Sequence, residues 1–259
     1  MTSSVLMSEM TWVEFEERVS QDQAIVLLPV GALEQHGPHL PLATDTLIPM
    51  GITTRIAERI GAIVAPPMSY GYKSQTKSGG GQHFSGTTSL DGHSLTSVLR
   101  DVIREFARHG VRKLVLFDGH MENMWFIVEG IDLALRELRY ANIDDMRIVK
   151  LDYWEFLTER ITEKLFEGSF ISWEVEHAAV METSVMMYLH PDLVHLDQIP
   201  DHPPAVFPGY DMYPSDTSLV PSSGALSSAK LASAEKGEMV VTEFVDRISE
   251  ALREAFGGH

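Results

Sequence analysis

The sequence predicts an α/β fold in which a mainly parallel sheet carries helices on both faces. Three observations point to it. Residues 24–30 read AIVLLPV, an apolar run without polar alternation, which marks a strand covered on both sides. Further strand-length apolar segments follow at 62–65, 113–117 and 146–151. Between them, residues 46–60, 94–109 and 123–140 carry apolar side chains at helical spacing. Strands that alternate with helices need right-handed crossovers, and so a parallel sheet between helical layers.

Taken in order, Thr11 and Glu14 fit a capping box, with Trp12, Phe15 and Val19 at helical spacing behind it, so a short helix precedes the first strand. Residues 31–45 hold two prolines, two glycines and two histidines and read as a loop. Gly110 stops the helix over 94–109, and Glu129, Arg136 and Arg139 mark the polar side of the helix over 123–140. Beyond residue 151 the pattern loosens. Helices are expected over 155–166 and 175–188, a proline-rich irregular stretch over 195–223, and a final helix over 226–256 broken near Gly237. The loops at 66–92 and 195–223 exceed the usual connection of a few residues, which suggests function or a subunit contact. Without an internal repeat or low-complexity segment, a single domain over 1–259 is the simpler division.

Composition narrows the chemistry. The chain has 259 residues, with 37 acidic against 20 basic side chains, for a formal charge of −17. Nucleic acid and anionic membrane surfaces are disfavoured as partners, because both need clustered Lys and Arg. The absence of cysteine excludes disulfides and thiolate zinc modules, so any metal must be held by histidine and carboxylate. No apolar run approaches the roughly 18 residues of a membrane-spanning helix. Residues 1–10 lack a cationic segment followed by an apolar one, so no secretory leader is expected. The expectation is a soluble, cytoplasmic protein.

In an open parallel sheet the carboxyl ends of the strands share one edge, and ligands bind in the crevice there. After the first strand come Glu34, His36 and Asp45; after the third come His120 and Glu122. Two imidazoles and three carboxylates converging in a partly dry cleft are costly unless cations neutralise them. Carboxylate oxygen with imidazole nitrogen suits Zn²⁺ or Mn²⁺. Five ligating side chains exceed the three of one open catalytic zinc, so two bridged ions fit better. His39 is a rival ligand, read here as loop scaffold, and Asp118 is read as a turn residue or a support for its neighbours.

Other candidates stay open on the residues alone. Ser78 and Gly79 to Gly81 either present N–H groups to an anion or carbonyl, or form a flexible turn. Glu176 and His177 are either a general acid and base or an exposed helix start. Trp154 and Trp173 are core aromatics or stack on a flat ligand. Met181, Met186 and Met187 are read as core filling.

The motifs EQHGPHLPLATD over 34–45 and DGHMEN over 118–123 resemble the creatininase (creatinine amidohydrolase) family. GYKS from Gly71, KSGGG from Lys77, GTTSLDG from Gly86 and VEGIDLALRELRYA from Val128 strengthen the resemblance toward creatininase proper. It implies a three-layer α/β/α subunit in a homohexamer, a binuclear Zn and/or Mn site, and reversible hydrolysis of creatinine to creatine. It implies one metal held by Glu34, Asp45 and His120, and another by His36, Asp45 and Glu122. It places Ser78, Met121, Trp154, Trp173 and Glu174 at substrate positions and Glu122, Glu176 and His177 in the catalytic set. The chain has Met121 where the family's creatininases typically have Tyr, and Glu174 where Asp is usual. The rival expectations are the same machinery acting on another lactam, a formamide or a peptide bond, and a non-catalytic binder of an anion at the glycine loop.

Overall fold

The architecture comes from a computed structural model that describes residues 4–257. Residues 1–3, part of the stretch read for a leader, and 258–259 lie outside it.

Thr11 caps α1 (Trp12–Ser20) through the expected capping box with Glu14. β1 (Val26–Val30) follows, then α2 (Thr44–Ile60), β2 (Ile63–Val64), α3 (Gly92–Arg108), β3 (Lys113–Asp118), α4 (Met124–Tyr140) and β4 (Arg147–Asp152). All pairings are parallel, in the order β2-β1-β3-β4, with Val30 opposite Asp118. Strand alternation splits the apolar residues between two cores. Val26, Leu28, Leu114 and Leu116 face α1, α3 and α4. Leu27, Val115 and Phe117 face α2, α5 (Glu159–Phe166), α6 (Val180–Leu189) and α7 (Ala234–Phe256). Apolar demand on both faces is why AIVLLPV shows no polar alternation. The expected α/β/α layering is observed.

Strand order reverses between β1 and β3, so their C-terminal ends flank the crevice where open α/β sheets bind ligands. This places the loops carrying Glu34, His36, His120 and Glu122 side by side.

Three helix expectations are corrected. The segment 155–166 begins as a 3-10 turn, Tyr153–Phe156, and α5 starts only after Thr158. The segment 175–188 is interrupted: a 3-10 turn, Trp173–Val175, is followed by Ala178 in the left-handed region (φ 55°), and α6 starts at Val180. The final helix starts at Ala234, with Ser233 as its cap, and runs unbroken through Gly237. A Cβ on Gly237 would fall 1.9 Å from the Ser184 carbonyl oxygen, so this glycine serves close approach to α6, not a break. Among the described residues no helix is long and apolar enough to cross a membrane.

Candidate active site

Glu34 and His36 leave β1 in a loop that folds back on itself, and Asp45 lies in the first turn of α2, where the helix N-terminus favours an anion. Pro49 removes the N–H that would otherwise engage the Asp45 carbonyl. His120 and Glu122 follow β3 directly, and His177 and Glu182 come from the turn before α6 and from α6 itself. Glu34, His36, Asp45, His120 and His177 are buried.

Asp45 spans the site. Its Oδ1 lies 2.9 Å from His36 Nε2, and its Oδ2 lies 3.1 Å from His120 Nδ1. Glu34 Oε2 is 3.2 Å from the same His120 nitrogen. Glu182 Oε2 is 3.7 Å from His36 Nε2. Two three-donor groups result, Glu34–Asp45–His120 and His36–Asp45–Glu182, sharing Asp45; a third, Glu34–His36–His177, overlaps both.

The electrostatics show what the cage lacks. Burial pushes Glu34 up to about 7, with Asp45 and Glu122 adding to it and His120 opposing it. At His36 burial works against the charged ring, but Asp45 and Glu182 outweigh it and hold the pKa well above the ordinary imidazole value. At His120 burial is likewise outweighed, by Glu122 and Glu34. Asp45 is held well below the usual carboxylate range: burial opposes this, and His36 and His120 overcome it. Glu34 Oε1, His36 Nε2 and Asp45 Oδ2 remain buried without an aligned hydrogen bond, although His36 and Asp45 stand at ion-pair distance. Three orphaned polar atoms facing one cage are what divalent cations satisfy, and the nitrogen and oxygen donors fit zinc or manganese.

Glu182 is the residue that sequence reasoning did not assign. Its signal was present: it is the one carboxylate in the helix VMETSVMMYL, where a charge with no function would be costly. Glu122, expected beside His36, lies instead on the other flank. Its Oε2 is 3.4 Å from His120 Nε2, and its Oε1 accepts from the Ser78 hydroxyl and, at 3.1 Å, from the Gln75 N–H.

Around these groups lies a cavity of about 50 Å³, lined by Ser78, Met121, Trp154, Trp173, Glu176 and His177 among others. By the same measure one water needs about 10–15 Å³, so the space suits a small polar ligand. The paired tryptophans are therefore brought to the cavity: Trp154 from the turn after β4, and Trp173 held edge-on against Phe170 at 4.9 Å. Glu174 is exposed and faces a larger neighbouring recess of about 560 Å³, which meets the cavity at Ser78 and Met121. Glu176 and His177 are buried, so they are not an exposed helix start. Burial raises the Glu176 carboxyl, whose Oε1 accepts from the Met181 N–H.

In the glycine loop the Ser78 and Gly79 N–H groups donate to the Gln75 carbonyl and the Gly81 N–H to Ser74 Oγ, so the loop is a tied turn and these N–H groups are spent within it. A Cβ on Gly79 would fall 2.0 Å from Glu34 Oε1, so the loop closes over a carboxylate. His39 binds Thr183 Oγ1 at 2.9 Å and stays outside the donor groups, as scaffold. Asp118 accepts from the His120 N–H at 3.1 Å and from Asn123 Nδ2 at 3.3 Å, and so supports the His120 turn. Met181 and Met186 are core residues, as expected.

A family model described as "Creatininase: Creatinine amidohydrolase" matches residues 8–252. The chain belongs to the creatininase family. Within that family it is 55% identical over 257 residues to a creatinine amidohydrolase from Pseudomonas putida, covering 99% of both chains. A mycofactocin precursor peptide peptidase from Mycolicibacterium smegmatis is 29% identical over 88% of this creatininase-family chain and 84% of its own. Among solved structures, a Glu-to-Gln variant of creatininase of the Zn–Zn type superposes with TM-score 0.97 at 54% identity. A manganese creatininase does so with 0.96, and a creatine complex of the Glu-to-Gln variant with 0.95, both at 55%. Each covers 98% of this chain and 99% of its own.

Proposed function

We propose that this creatininase-family chain, as one domain over 1–259, hydrolyses the cyclic amide of creatinine to creatine, reversibly, with two divalent ions, Zn and/or Mn. The observation that carries the reading is the Asp45 carboxylate, whose two oxygens face two different imidazoles in a buried cage of orphaned donors. Glu34, Asp45 and His120 would hold one ion, and His36, Asp45 and Glu182 the other. Bound there, the ions supply carbonyl polarisation and a nucleophilic water at neutral pH.

The remaining roles belong to side chains. Trp154 and Trp173 flank the flat ring and exclude water from it. Glu122, fixed by Ser78 and the Gln75 N–H, takes the proton released as water adds to the carbonyl carbon. His177, which also lines the cavity, gives a proton to the ring nitrogen as its bond to that carbon breaks. Glu176 holds the turn that carries His177, through its bond to the Met181 N–H. Met121 packs at the mouth where the usual Tyr would offer a hydroxyl, and Glu174 lies beyond it.

A coupled assay for creatine formation tests substrate and cofactor together: activity lost on chelation and restored by Zn²⁺ or Mn²⁺ supports the reading, and activity indifferent to chelation defeats it. A second substrate class is favoured by one observation, the recess of about 560 Å³ that adjoins the cavity at Met121. It offers room for a larger lactam, a formamide or a peptide amide, and a substrate panel decides between these and creatinine. The proposal extends to a cytoplasmic homohexamer. The resemblance supports the assembly, and so do Val206, Tyr210, Met212 and Tyr213, large apolar side chains exposed on the 195–223 stretch.

A further inference from the structure

Gln35, between Glu34 and His36, has its side chain pinned at both ends. Its Oε1 accepts from the Gly37 N–H at 2.9 Å, which fixes the orientation of the amide. Its Nε2 then faces three neighbours: the Gly79 carbonyl at 3.0 Å, the Gly224 carbonyl at 2.9 Å and His177 Nε2 at 2.9 Å. An amide nitrogen has two hydrogens, and a carbonyl oxygen can only accept. Both hydrogens therefore go to Gly79 and Gly224, and none remains for His177. The ring nitrogen meanwhile lies 2.8 Å from the Gln35 backbone carbonyl, which needs a donor.

We propose that Gln35 is a positioning residue that sets the tautomer of His177, keeping the proton on Nε2 and leaving the Nδ1 lone pair free toward the cavity. Nδ1 lies on the Glu34 side, 3.9 Å from Oε2. Nδ1 is then the atom that first takes the remaining water-derived proton from the hydroxyl left on the carbonyl carbon and passes it to the departing ring nitrogen, while Nε2–H stays bonded to the Gln35 carbonyl throughout. The backbone of Gln35 is held for this task by its own N–H, bonded to Thr87 Oγ1 at 3.0 Å. Its side chain ties the Gly79 and Gly224 loops to the same point. The catalytic consequence rests on the proton-transfer role proposed above for His177; the tautomer does not.

The test is ¹⁵N spectroscopy of the metal-loaded full chain with labelled histidine, with His177 assigned by its absence in His177→Ala. The expected result is a pyridine-like Nδ1 and a pyrrole-like Nε2. A protonated Nδ1 overturns the proposal, and so does an Nδ1 whose resonance reports direct metal ligation. Two variants test the positioning role. Gln35→Leu keeps the backbone carbonyl but releases it from the Gly79 and Gly224 loops that the amide ties down; it is expected to loosen the Nε2–H bond, mix the tautomers and lower kcat on the order of tenfold or more with little change in KM. Gln35→Glu puts a carboxylate oxygen, an acceptor, where the amide nitrogen faces Nε2 and is expected to retain the single tautomer. Identical spectra for wild type and Gln35→Leu would overturn the positioning role. Full turnover in His177→Ala would instead remove the proton-transfer role and leave the tautomer assignment standing.

Discussion

Gly79 lies so close over Glu34 that a Cβ added to it would fall 2.0 Å from the carboxylate Oε1 and 2.5 Å from Ser74 Oγ. The glycine thus shapes the donor cage without contributing a donor. Gly79→Ala is expected to lower metal affinity and kcat/KM by about 10–100-fold, the usual cost of disturbing groups that orient ligands. Metal titration of the chelated variant checks it, and wild-type affinity would show that the loop yields instead.

Glu182 gives a sharper test of the cage. If His36, Asp45 and Glu182 hold one ion, Glu182→Gln removes the one full charge contributed to that position alone. The expected outcome is a fall from about two metal equivalents toward one after gel filtration, with turnover reduced at least 100-fold. Retention of both ions would return the position to His36, Asp45 and Glu122.

Above about pH 6.5 the metal-free protein should lose stability as pH rises. Glu34 at about 7, with His36 and His120 well above the imidazole range, binds protons more tightly folded than unfolded. Glu34 therefore holds its extra proton between about pH 4.5 and about 7, and the two histidines theirs from about pH 6.5 upward, so stability falls as pH rises through those folded values. His177, lowered first by burial and then by His36, and His39, lowered by burial to about 4, shift the opposite way. Their contribution is complete by about pH 6.5 and does not alter the slope above it. Metal ions replace those protons. Thermal unfolding from about pH 7 to about pH 9 should show a falling Tm with chelator and a much flatter profile with zinc; equal slopes would contradict the account.

Most of the scaffold was legible because its signals are local. The apolar segment at 24–30 needs cover on both faces, and Val26 and Leu27 do face opposite cores. The strand-end position of Glu34, His36 and His120, with Asp45 at the opening of the next helix, sufficed to bring them together. What was hidden depends on contacts between segments distant in the chain. Glu182 reaches His36 because α6 packs against the loop after β1, where Thr183 meets His39. Gln35 finds His177 and Gly224 across 142 and 189 residues. Neither distance leaves a trace in spacing.

Gly237 was misread for the same reason, since propensity alone marks a mid-helix glycine as a break. Alanine there gains about 1 kcal/mol of helix propensity. Its Cβ, however, would meet the Ser184 carbonyl oxygen at 1.9 Å and Tyr188 Cβ at 2.8 Å, and backbone does not move as a side-chain tip does. Pushing α6 from α7 costs about 1–3 kcal/mol or more, so the clash outweighs the gain. It also displaces Ser184, whose hydroxyl accepts from the Ser233 N–H at 3.2 Å at the cap of α7. Gly237→Ala is thus expected to lower Tm by several degrees, at roughly 2–4 °C per kcal/mol for a chain of this size. Because α6 carries Glu182, the variant should also bind the ion at His36 more weakly than the one at His120. Calorimetry and metal titration on the same preparation check both, and a raised Tm would show that α6 and α7 part without cost.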